Sequence, residues 1–172
     1  IYDEFLERAY RNHPLGKPIL GNEKCLTAIT RKDVTAYYKS HYVGRQILVS
    51  CAGNVDHGDL VHEIERHLKK LPAGQELEKR KRPKFHSFFQ SMEKNTDQVH
   101  MLFGLPTGAY RGPWRFEAFI VNALLGGGMT SKLFQSVRER RGLTYSVYST
   151  LNTFTDAGLL MVYASMEEDK IK

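Results

Sequence analysis

Cysteine is scarce in this chain. Only Cys25 and Cys51 occur, and their spacing matches neither a disulfide framework nor a pair of metal-ligand motifs. Cys51 falls within the apolar run Ile47 to Ala52 and reads as a small core residue. Long hydrophobic runs are absent too. No stretch approaches the roughly 20 apolar residues that span a bilayer, and no signal-peptide pattern is visible. The first residue is Ile1, with neither an initiating methionine nor a helix cap, although Ile1, Tyr2, Phe5, Leu6, Ala9 and Tyr10 already keep helical period. The chain is therefore expected to be a portion of a longer polypeptide.

Also missing is a metal site. A zinc hydrolase needs two histidines one helical turn apart, plus carboxylates as ligand and base. His62 and His67 come near this pattern with Glu63 and Glu65 between them. Five residues of separation, however, place them about 140 degrees apart around a helix. His57 and His62 fail for the same reason, and His13, His41, His86 and His100 are scattered. This chain is expected to bind no zinc.

What is present supports a folded protein. An apolar fraction of 41% and an aromatic fraction of 11% allow a real core. The net charge of +6 invites a nucleic-acid reading. Much of that excess is local, because Lys79 to Lys84 holds five basic residues around Pro83. A solvated linker explains the run more simply than a nuclear-targeting or phosphate-binding function.

Taken in order, the opening helix ends near Asn12, before His13-Pro14. Thr30 and Asp33 form a capping box with aspartate in place of glutamate, starting a helix expected to bury Val34, Tyr37 and Tyr38. Gln46 to Ala52 reads as a strand covered on both faces. Asp56 caps a helix whose inner face is Leu60, Val61, Ile64 and Leu68. From residue 72 to 84 periodicity vanishes and charge rises, predicting a linker between 1–71 and 85–172. Beyond it come a strand over Gln98 to Leu105, an apolar helix from Trp114 to Leu125 expected to be buried, and a final strand over Leu159 to Ala164.

The densest pattern lies between Ala123 and Ser149. An apolar helix runs into Gly126, Gly127 and Gly128, and a second helix begins at Met129-Thr130, with Leu133, Phe134 and Val137 as its buried face. Gly142 stops that helix in a left-handed turn, and Leu143 to Ser149 reads as a strand. Arg138 and Tyr145, seven residues apart across a tight turn, can point into one space. A phosphate loop is a poor reading of the glycines, since they follow a helix and lack a Gly-Lys-Ser/Thr ending. A compact helix–helix turn is the simpler one.

The run GGGMTSKLFQSVRERRGLTYSVYS resembles the second half of the pitrilysin-like zinc metallopeptidases, whose inverted motif is H-x-x-E-H. It is most similar to the mitochondrial processing peptidase branch and its bacterial relatives. HPLGKPILG, ITRKDVTAYYKSHY and ILVSCAGNVDHGDLVHEI resemble family segments as well. A short glycine run departs from the long loop of the non-catalytic processing-peptidase subunit and favours the catalytic or bacterial type. At His62–His67, Arg66 stands where the inverted motif needs glutamate.

The resemblance implies an α+β metallopeptidase fold, comprising the end of one α/β unit and the start of a second, homologous unit. It implies zinc in the full-length protein but none on this chain, a peptide substrate, and a companion in the missing N-terminal half or a second subunit of a dimer. It places Arg138 and Tyr145 against the substrate backbone near the scissile carbonyl, and Gly126 to Gly128 along the substrate chamber. The bland alternative makes Arg138 a helix-end cation and Tyr145 an ordinary strand aromatic. At the level of the whole chain, a non-catalytic core subunit of a respiratory complex is the competing function. A nucleic-acid module rests on charge alone.

Overall fold

A computed structural model describes residues 1–75 and 80–171. Contacts divide the chain into two compact units, Ile1–Leu20 with Lys81–Lys172, and Gly21–Arg80.

The first unit is built on a three-stranded antiparallel sheet. Strands β1 (Val99–Thr107), β2 (Ser146–Thr153) and β3 (Gly158–Met166) are ordered β1-β3-β2. Val99 pairs with Met166 and Thr107 with Gly158, while Ser146 pairs with Ser165 and Thr153 with Gly158. β3 is thus hydrogen-bonded on both sides, and its apolar run is buried on both faces. Helix α1 (Tyr2–Ala9) covers one face. Its Tyr2, Phe5, Leu6 and Ala9 share a stripe that packs, with Tyr10 and Phe85, on Leu159 and Met161. Tyr10 is 1% exposed; burial of its ring favours the fold, while its buried hydroxyl meets no partner among the described residues, which offsets part of that gain. On the opposite face Val147, Ala164 and Met166 meet Met101, Leu133 and Val137.

The turn after α1 is held by His13. Its Nδ1 accepts from the Leu15 amide at 3.2 Å, so Nε2 carries the proton donated to the Lys81 carbonyl at 3.0 Å. Residues near 81–86 return to α1 in the same way, the His86 amide bonding to the Ala9 carbonyl at 2.8 Å. Residues from 81 onward therefore pack with α1 and the sheet. The apolar stripe of α1 needs a sheet to cover it, and that sheet is built after residue 98. The sequence linker also includes residues 76–79, which lie outside the described residues.

The second unit holds α2 (Glu23–Ala28), α3 (Arg31–His41) and α4 (His57–Leu68). The start signals hold as expected. Thr30 accepts from the Asp33 amide at 3.3 Å, and Asp33 accepts from the Thr30 amide at 2.9 Å, completing the capping box. Asp56 Oδ1 accepts from Gly58 at 2.8 Å and Asp59 at 3.1 Å. Helix α2, capped by Asn22 on the Cys25 amide, was not anticipated.

Three burial expectations are corrected. Gln46 to Ala52 joins no ladder among the described residues, and Leu48 is 93% exposed. Cys51 is exposed with it. A strand exists only with a hydrogen-bonding neighbour, and none of the described segments supplies one. Val34, Tyr37 and Tyr38 lie on an exposed face of α3. Helix α5 (Arg115–Gly126) is not buried all round either: Phe116, Phe119, Ile120 and Leu124 are exposed. It rests on β2, and one neighbour covers only one side of a helix.

Candidate functional site

The site is assembled where α5, the following helix and β2 converge. Gly126, the last residue of α5, is buried against β2. A Cβ there would stand 2.3 Å from the Ser149 amide nitrogen, so only glycine lets the two backbones come this close. Ser149 Oγ donates to the Asn122 carbonyl at 3.1 Å, fastening the same junction. Gly127 and Gly128 turn the chain, the Ser131 amide bonds to the Gly128 carbonyl at 3.0 Å, and Gln135 Nε2 donates to the Met129 carbonyl at 2.8 Å. Gly126 to Gly128, Met129, Phe134, Val147, Tyr148 and Ser149 line an open cleft of about 310 Å³.

The helix that follows is not a regular α-helix. Phe134–Glu139 is π-helical, with the Arg140 amide reaching back five residues to the Gln135 carbonyl at 3.1 Å. Single π-turns are frequently found at functional sites. The segment ends as expected at Gly142, whose φ is +57°. Leu143 and Gly142 amides close the turn on the Val137 and Arg138 carbonyls at 3.1 and 3.0 Å. β2 begins at Ser146, three residues later than the sequence pattern predicts.

That turn brings Arg138 and Tyr145 together. The Arg138 guanidinium carbon lies 4.4 Å from the Tyr145 ring centre and 4.6 Å from that of Phe134. The cation lies over both rings, each contact contributing about 0.5–1 kcal/mol at an exposed site. Its Nε is 3.7 Å from Glu139 Oε1, a loose ion pair. The guanidinium carries five N–H donors, so it keeps donors beyond the Glu139 contact. Tyr145 is 76% exposed, and its hydroxyl bonds to no described residue. The stack and the cleft share Phe134, so they are contiguous.

Phe134, expected on the buried face of this helix, is half-buried and lies against the Arg138 guanidinium. The four-residue spacing of Phe134 and Arg138 on one helix is the signal that points to it. On the other face of the sheet, Tyr2 and Tyr148 hydroxyls bond at 2.8 Å, and His100 Nδ1 meets the Tyr163 hydroxyl at 2.8 Å. Burial, then the bond to Tyr148, raises the Tyr2 phenol above its ordinary range.

Among the described residues no group of three or more His, Cys, Asp or Glu side chains could hold a metal ion. Glu63 is engaged by Arg66 at 2.8 Å and faces His67 at 3.5 Å, an exposed network along α4. The described residues therefore do not fit a zinc centre. Among the described residues, no helix is long and apolar enough to cross a membrane.

Residues 28–172 match the model of the peptidase M16 inactive domain, and the chain belongs to the peptidase M16 family, that of the pitrilysin-like metallopeptidases. A Streptomyces coelicolor protein named an uncharacterized zinc protease is 34% identical over 99% of this chain and 39% of its own length. A Rickettsia felis protein of the same description is 34% identical over 100% of this chain and 42% of its own length. The chain thus spans about two fifths of these relatives. A peptidase M16 inactive domain from Pseudomonas fluorescens superposes with a TM-score of 0.88 at 24% identity, over 96% of this chain and 41% of that one. A chain of Complex III2 from Candida albicans gives 0.82 at 19% identity, over 98% of this chain and 42% of that one. Both likenesses concern the fold, here an α+β arrangement of helices on a small antiparallel sheet.

Proposed function

We propose that this chain is the part of a zinc-dependent metalloendopeptidase that closes the peptide chamber and contacts the substrate backbone. The observation that carries the reading is the Arg138–Tyr145 stack. A permanent multi-donor cation and a free phenol hydroxyl stand side by side beside an open cleft. Arginine can donate two hydrogen bonds to a peptide carbonyl, and a phenol can donate to charge developing on the same oxygen. Contact with Phe134, one turn earlier on the same helix, restricts the guanidinium and lowers the ordering cost of those hydrogen bonds. Gly126 to Gly128 leave the cleft wall without side chains, so an extended peptide can approach closely.

In this reading the complete polypeptide cleaves peptides or presequences, as in the mitochondrial processing peptidase branch. Its zinc is held through an H-x-x-E-H motif outside this chain. The zinc-protease names of the relatives support that assignment. Residues 1–71 and 85–172 are portions of two related units, and the chain works with a preceding half or with the second subunit of a dimer. Alone it is inactive. Arg138→Ala and Tyr145→Phe in the complete polypeptide test the reading: each should slow peptide cleavage per folded molecule.

A second reading, a non-catalytic core subunit of a respiratory complex, draws on the fold likeness to the Complex III2 chain. The two part at the zinc motif. An intact H-x-x-E-H in the complete polypeptide supports the peptidase, and a degraded one supports the scaffold.

A further inference from the structure

We propose that Thr144 is a positioning residue for Tyr145, aiming the phenol through a hydroxyl hook that brackets it. The inference rests on the reading that Tyr145 meets the substrate. Tyr145 itself is poorly anchored, since its ring is exposed and its contact with Arg138 is a stack between two side chains. The residue before it is the opposite case. Thr144 is 7% exposed, and its Oγ1 donates to the carbonyl of Ser165 on β3. The same oxygen accepts from the Ser146 amide at 3.1 Å, and the Ser146 carbonyl, at 3.0 Å, is a second acceptor for its one proton. One hydroxyl therefore closes a small ring around the Tyr145 peptide and ties that ring to the central strand.

The arrangement has a geometric consequence. Tyr145 lies between the helix-ending turn at Gly142 and the first ladder pair, Ser146 with Ser165. Without the hook, its φ and ψ are limited by the turn on one side and the ladder on the other. With it, the Cα–Cβ direction is set, and the phenol stays beside Arg138. Serine and threonine hydroxyls commonly bond to a backbone amide two residues on; the added bond to β3 makes this local turn a tertiary fixture.

The test is a double-mutant cycle on the complete polypeptide, measuring kcat, KM and melting temperature for Thr144→Val, Thr144→Ser, Tyr145→Phe and Thr144→Val with Tyr145→Phe. Valine keeps the shape and removes the hydroxyl. Small misplacements of a reacting or orienting group cost up to about a hundredfold in rate, so Thr144→Val should lower kcat roughly tenfold with KM little changed. Thr144→Ser should restore most of the loss. In the Tyr145→Phe background Thr144→Val should cost nothing further. If Tyr145→Phe is slow and Thr144→Val turns over like wild type, the hook is refuted and the role of Tyr145 stands. Additive losses also refute it, because Thr144 would then act elsewhere. Wild-type turnover of Tyr145→Phe ends both claims. Should the valine variant fail to fold, Thr144→Ala takes its place in the same cycle.

Discussion

Gly126→Ala puts the junction of α5 and β2 under direct test. The added Cβ would lie 2.3 Å from the Ser149 nitrogen, 2.7 Å from its Oγ and 2.9 Å from its Cβ. A side-chain tip could swing away, but the nitrogen belongs to a strand whose partner is Val162 on β3. The helix must therefore withdraw from the sheet. Overpacking of this kind costs about 1–3 kcal/mol, whereas replacing glycine with alanine in a helix interior gains at most about 1 kcal/mol. At the last turn that gain is smaller, so the clash wins. The net loss should be about 1–2 kcal/mol, lowering the melting temperature by roughly 2–8 °C for a chain this long. Gly128→Ala is the control, because nothing lies within 4 Å of its Cβ position; it should change stability by less than about 0.5 kcal/mol. Thermal and urea unfolding of both variants give the answer. A Gly126→Ala protein as stable as wild type would refute the close approach that shapes the cleft.

Alkaline pH should loosen the sheet unit. Burial raises the Tyr10 phenol above its ordinary value of 10.0, so the folded state keeps a proton that the unfolded chain releases. Stability is then complete below pH 10 and falls as pH rises above it; circular dichroism across that range checks the slope, and Tyr10→Phe should reduce it, leaving the share of Tyr2, whose phenol is raised as well. Equilibrium dialysis of this chain at neutral pH should detect no stoichiometric zinc, and one tightly held ion would overturn the reading of His57, His62 and His67. Brief trypsin digestion should cut first between Gln75 and Lys84, the proposed linker; earlier cutting within Gln98 to Leu125 would move that boundary.

Signals carried by local chemistry were legible in the sequence. The Thr30–Asp33 box, the Asp56 cap and the left-handed Gly142 each need only neighbours a few residues away, and each stands as read. The sheet strands were legible from composition, although β2 starts late because Thr144 and Tyr145 belong to the entry turn. Burial was harder, because hydrophobicity says that a face needs a partner but not which partner. Val34 and Tyr37 have helical spacing without a covering element among the described residues, and Ile47 to Ala52 has strand composition without a ladder. Placement of α1 on the sheet depended on contacts across some 150 residues, to which periodicity is blind. At the site, the seven-residue spacing of Arg138 and Tyr145 pointed to a shared space, which the 4.4 Å stack shows. The π-turn left no pattern to read, and at Thr144 only the local bond to the Ser146 amide is of a kind that sequence suggests, whereas the bond to Ser165 spans 21 residues.

In the proposed function Arg138 and Tyr145 act on the substrate rather than on the fold. Peptide cleavage by the complete polypeptide, measured per folded molecule alongside melting temperature, tests it most directly. Losing one charge-assisted hydrogen bond costs about 1.5–3 kcal/mol, or roughly ten- to a hundredfold in rate. Arg138→Ala and Tyr145→Phe should each show a loss of that size, with Arg138→Lys rescuing only in part because an ammonium lacks the planar fork. Tyr145→Phe keeps the ring that stacks on Arg138, so its melting temperature should stay at the wild-type value. Full turnover in both Arg138→Ala and Tyr145→Phe would contradict the account and leave the pair as a surface stack.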